Sequence, residues 1–156
     1  MGARQRLALL AASLAAVPWP GAAQFLEPLE PPLGLPETLQ GTVAVPLAEP
    51  PTGPADTLPA LFPVLAACWR VPPGLEGARN WQITARFALR RDGTLIGTPR
   101  ITFAAGTLNA GSRAALVGAT LGSIRRCVPA HVTPALGRAI AGRPLALRFI
   151  DRGSDR

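Results

Sequence analysis

The sequence has no Lys, no Tyr, one His, one Met and only two Cys in 156 residues. Each shortage closes a class of chemistry. Without Lys there is no Gly-rich phosphate loop of the kind that ends in Lys. Two Cys and one His cannot fill the four-ligand shell of a structural zinc site. If Cys68 and Cys127 pair, no thiol remains to form a dyad with His131, and His131 reads as a loop residue. Ser112, Ser123 and Ser154 stand in no G-x-S-x-G context. Asp56, Glu76, Asp92, Asp151 and Asp155 are scattered over turns and termini, so paired carboxylates for acid–base work are not implied. The chain is therefore expected not to be an enzyme, with no cofactor and no metal. Long apolar runs are missing too. The run Leu7 to Val17 covers eleven residues, short of the ~20 that span a bilayer as a helix.

What is present is Pro, Gly, Ala and Arg: 18 Pro, 16 Gly and 16 basic residues, all Arg. Arg without any Lys reads as the bias of a GC-rich genome, so the Arg count alone is not a functional signal. Residues 1–23 read as a signal peptide. Arg4 and Arg6 precede the apolar run, Pro18 and Pro20 break it, and Gly21-Ala22-Ala23 offers small residues for cleavage. No Cys follows that run, so lipoprotein processing has no acceptor. Export places the chain in the periplasm, where two Cys usually pair. A Cys68–Cys127 disulfide is the expectation, with two buried free thiols as the alternative. Residues 24–54 are Pro-rich, carry Glu27, Glu30, Glu37 and Glu49 without a basic residue, and read as a disordered linker. Within it Thr42 to Pro46 has the character of a short, isolated β segment. From residue 55 onward 14 Arg face five acids, a net of +9. The folded unit is placed at residues 55–152, with 153–156 as a tail.

The pattern predicts α-β-β-α-β: a three-stranded antiparallel sheet with two main helices on one face. A first helix falls within residues 55–69, capped by Asp56 or Thr57 and complicated by Pro63. Trp81, Ile83, Ala85, Phe87 and Leu89 alternate with polar or small residues, as in a strand with one face buried. Asp92-Gly93 marks a hairpin turn. A three-residue loop, Arg91-Asp92-Gly93, with Gly93 left-handed, pairs Leu89 with Leu95, Ala85 with Pro99, Ile83 with Ile101 and Trp81 with Phe103, which keeps the buried face apolar. Pro99 suits an outer strand. A second helix follows at residues 109–127, with Val117, Leu121, Ile124 and Val128 as its apolar stripe. A short helical turn opens at Thr133-Pro134, and residues 143–150 form the last strand. A right-handed crossover sets that strand beside the first one, for a sheet order of 2-1-3. Trp69 and Trp81 read as core residues.

The segments Cys68-Trp69-Arg-Val-Pro72, Phe87 to Leu95 with its Asp92-Gly93, Arg126-Cys127-Val-Pro129 and Leu147-Arg-Phe149 resemble the TolA-like and TonB C-terminal domain family. The resemblance implies a periplasmic protein-interaction domain of the cell envelope that binds by strand addition. The edge would be Leu145, Ala146, Leu147, Arg148, Phe149 and Ile150, and the chain would lack an energy-transducing anchor of its own. Implied partners are envelope proteins, including Tol/Ton-system or outer-membrane components, and homodimerisation through the same edge is a further option. The alternative is an Arg-rich binder of anionic envelope material, lipid headgroups or cell-wall polymer, with peripheral membrane contact. Nucleic acid is not an expected partner, because the Arg residues are not interleaved with exposed aromatics.

Overall fold

The computed structural model describes residues 37–155; the signal peptide expected at 1–23 and the first part of the expected linker lie outside them. The elements in order are β1 (Leu39–Val45), α1 (Leu58–Ala66), β2 (Gln82–Leu89), β3 (Leu95–Ala105), α2 (Ala110–Arg126), α3 (Pro134–Ile140) and β4 (Pro144–Asp151), with a short 3-10 turn after it. They build a four-stranded mixed sheet in the order β1-β4-β2-β3. This replaces the three-stranded antiparallel sheet expected from the sequence. The added strand is β1, which runs parallel to β4 with Leu39 opposite Leu145 and Val45 opposite Asp151. The stretch read as disordered linker thus contributes a strand. Val43 and Val45 are buried in the core, and full burial of a valine side chain stabilises by about 1.5–3 kcal/mol. A Cβ on Gly41 would meet the ring of Phe62 at 2.1 Å, so the missing side chain lets α1 lie directly on β1.

β2 alternates as its sequence dictates: Ile83, Ala85, Phe87 and Leu89 are buried while Gln82, Thr84, Arg86 and Ala88 face outward. The hairpin closes through the three residues Arg91-Asp92-Gly93. Arg90 N–H donates to the Thr94 carbonyl at 2.7 Å, Gly93 sits at φ +81°, and Leu89 pairs with Leu95. Asp92 accepts from Thr94 Oγ1 at 2.6 Å and from Thr94 N–H at 3.0 Å. The Thr94 hydroxyl, then the Thr94 amide, hold the Asp92 carboxyl below its ordinary range.

Beyond the turn the expected register fails. Ala88 pairs with Ile96 but Arg86 pairs with Arg100, and a second shift sets Thr84 opposite Phe103 and Ile83 opposite Ala104. The first shift takes up Gly97 at φ +68° and Pro99, which cannot donate to a ladder. Bulges of this kind bend a strand and re-aim its side chains. Phe103, expected to be buried opposite Trp81, is 46% exposed.

The helices cover one core. Pro63 lies inside α1, with Thr57 as N-cap and a second proline in the first turn. Leu61, Phe62, Leu65 and Ala66 are its buried residues. On α2, Asn109 caps by accepting from Ser112 N–H at 2.8 Å. Its buried residues are Leu116, Thr120, Ser123 and Ile124, a stripe rotated from the expected one, with Val117 and Val128 only partly buried against the core. The two helices end beside each other. Cys68 and Cys127 form a disulfide with their Cα atoms 5.5 Å apart, inside the range the bond tolerates. Cys68 N–H donates to Cys127 Sγ, and Arg126 Nη2 donates to the Cys68 carbonyl at 3.2 Å. Trp69 and Trp81 are buried with stacked rings, centroids 5.5 Å apart. Among the described residues no helix is long and apolar enough to cross a membrane.

Candidate anion-binding face

Among the described residues the helices occupy one side of the sheet and leave the other uncovered. Alternation on each strand decides what that open side carries. β2 presents Thr84 and Arg86, flanked by Gln82 and Ala88. The ladder partners share their side. Thr84 lies between Arg148 of β4 and Phe103 of β3, and Arg148 in turn lies beside Thr42 of β1. Arg86 lies between Ala146 of β4 and Arg100 of β3, with Gln40 of β1 beyond Ala146. Three arginines, 86, 100 and 148, therefore stand on one surface with no acidic residue on that side of any strand.

The arrangement around them is polar and shallow. A depression of about 250 Å³ is lined by Gln40, Gly41, Thr42, Thr84, Ala146 and Arg148. Arg86 reaches across the small Ala146 and donates from Nη2 to Thr38 Oγ1 at 3.3 Å. The Thr84 hydroxyl is shielded from solvent and has no hydrogen-bond partner among the described residues. Arg86 and Arg100 face each other directly across neighbouring strands, where like charges destabilise a sheet. None of the three is in an ion pair among the described residues, whereas Arg143 pairs with Glu37 at 3.8 Å.

Other arginines have structural work. Arg70 donates to the Ala67 and Trp69 carbonyls, Arg79 to Gly153, Arg90 to Leu95, Arg113 to Ala104 and Arg126 to Cys68. Each satisfies a backbone acceptor near the end of an element. This separates the open-face trio from those five arginines, a distinction the raw charge count hides.

The residues singled out in the sequence fall as follows. Cys68 and Cys127 are joined, and Asp92 and Gly93 form the hairpin turn. Leu145 to Ile150 are not an unpaired edge. β4 lies inside the sheet, hydrogen-bonded to β1 on one side and β2 on the other, because the segment 39–45 folds back on it. His131 is exposed in the loop before α3, where its carbonyl accepts from Ala55 N–H at 2.8 Å. Arg86 and Arg100 were not singled out. Alternation alone would have placed Arg86 on the wet face, but its juxtaposition with Arg100 depends on the bulge.

The family described as "Uncharacterised conserved protein UCP034077" matches residues 51–153, and the chain belongs to that family. This overturns the resemblance to the TolA-like and TonB C-terminal domain family. The short Cys-Trp and Arg-Cys segments around the hairpin are too short to define a lineage. No curated protein and no solved structure matches the chain. The matched region begins after β1, so the three arginines lie within it and the strand covering β4 does not.

Proposed function

We propose that the domain is a non-catalytic binding module of the cell envelope that holds anionic material on its open sheet face. The observation that supports this is the gathering of Arg86, Arg100 and Arg148 on one side of the sheet, with no carboxylate on that side of any strand among the described residues. An anion placed between Arg86 and Arg100 relieves their mutual repulsion and accepts from both guanidinium groups, whose fixed fork of donors suits phosphate and carboxylate. The disulfide is compatible with export, and the signal-like start of the sequence agrees with a periplasmic location. Strand addition at β4 is set aside, since β1 already occupies that position.

Charge dominates such binding, and charge interactions at a surface are screened by salt. The test is binding of the folded chain to phosphatidylglycerol-containing vesicles and to soluble polyphosphate across a salt series. The triple variant Arg86→Gln, Arg100→Gln, Arg148→Gln is expected to bind both at least tenfold more weakly, with a flatter salt dependence. Arg100→Gln alone is expected to weaken binding while leaving the melting temperature unchanged or slightly raised, since it removes a like-charge pair worth a few tenths of a kcal/mol. Undiminished binding by the triple variant would exclude the face as the site.

A further inference from the structure

Resting on that reading, we infer that the anionic partner is a lipid surface, engaged edge-on by β3 with Ile96 and Phe103 as apolar anchors on either side of Arg100. The inference starts from what the register shift does. In the unshifted hairpin Phe103 would pack opposite Trp81. The bulge instead sets it opposite Thr84, on the arginine side, where it is 46% exposed. Ile96, opposite Ala88, lies on the same side and is 41% exposed. The open face of the outer strand thus reads Ile96, Arg100, Phe103 in order. Arg86 stands directly beside Arg100, and Arg148 stands two strands in from Phe103, about 10 Å away.

This sequence of side chains matches the layering of an anionic bilayer surface. Apolar groups that enter the acyl boundary gain by leaving water, while guanidinium groups a few ångströms away remain at the phosphate level. Attraction of arginines to an anionic leaflet adds to that burial and falls off within a Debye length. A hydrophilic polymer would satisfy the arginines equally well, but it offers nothing to Ile96. Nucleic acid would call for successive aromatic platforms, and Phe103 is the only exposed Phe or Trp among the described residues: Phe62, Trp69, Trp81, Phe87 and Phe149 are all buried. Apolar anchors on the outermost strand can reach a plane without the sheet unfolding.

The test uses the double variant Ile96→Ser, Phe103→Ser, with circular dichroism and the melting temperature to confirm the fold. Vesicles of phosphatidylglycerol and phosphatidylcholine are compared with soluble polyphosphate. The expected result is at least a tenfold loss of vesicle binding with polyphosphate binding unchanged, from the apolar area that no longer leaves water. Vesicle binding equal to that of the native chain overturns the lipid inference while leaving the anion-binding face intact. A native chain that binds neither vesicles nor polyphosphate overturns the anion-binding reading itself, and the lipid inference with it.

Discussion

Gly93 carries two constraints at one atom. Its φ of +81° lies in the left-handed region, which costs an ordinary residue roughly 1 kcal/mol or more. A Cβ there would also fall 2.1 Å from the Ala130 carbonyl oxygen, which belongs to the loop that follows the second cysteine. The two strands of chain are already joined, since Ala130 N–H donates to the Gly93 carbonyl at 2.9 Å. Backbone cannot rotate out of the way as a flexible side chain can. Gly93→Ala is therefore expected to destabilise the fold by about 2–4 kcal/mol, and thermal unfolding should show the midpoint falling by about 10 °C or more. An unchanged midpoint would show that the turn and the loop do not meet as described. The same residue illustrates what a sequence makes plain. Asp-Gly between two apolar runs announces a turn, and the demand for an apolar pairing selects the three-residue loop. That demand says nothing about Ala130, 37 positions away.

At the scale of elements, β1 and β3 show where local reasoning stops. Gly41→Val places a branched side chain where the Phe62 ring lies, and is expected to loosen β1 from β4 at a cost of about 1–3 kcal/mol. Amide exchange along residues 145–150 provides the readout. Every second amide, those directed at β1, should lose protection while those directed at β2 keep theirs. Equal protection throughout would contradict the pairing. β1 was hard to see because its alternation of Leu39, Gly41, Val43 and Val45 sits among prolines, contains a glycine, and has its partner strand more than 100 residues away. The short segment at Thr42 was visible, but its place in a sheet was not. β2, with a clean five-step alternation, was legible throughout. β3 was legible as a strand and as an outer one. Its register was lost at Gly97 and Pro99, where backbone limits outweighed the pairing of apolar side chains. The proposed binding face inherits that history: Arg148, Arg86 and Arg100 fall on it by alternation, whereas the placing of Arg100 opposite Arg86 and of Phe103 on that face follows from the shift.

For the whole molecule, the disulfide and the sheet order set how the parts depend on one another. Cys68 and Cys127 close a loop of 59 positions, and in the chain-entropy treatment a crosslink of that span stabilises by roughly 4 kcal/mol. Cys127→Ser is expected to lower stability by up to that amount under oxidising conditions, read as a drop in the denaturant midpoint with a steeper slope as the unfolded chain expands. Identical midpoints for native and variant chains would mean that the bond adds nothing to a fold already held by its core. The order β1-β4-β2-β3 has a further consequence, for timing. The first of the four strands to be made rests against the last, so β1 has no lasting berth until β4 has emerged. A chain delivered from its amino end, whether from a ribosome or through a pore, can form the β2–β3 hairpin as it arrives but must hold Val43 and Val45 in reserve. Closure of the sheet therefore waits for residues 144–151 to arrive.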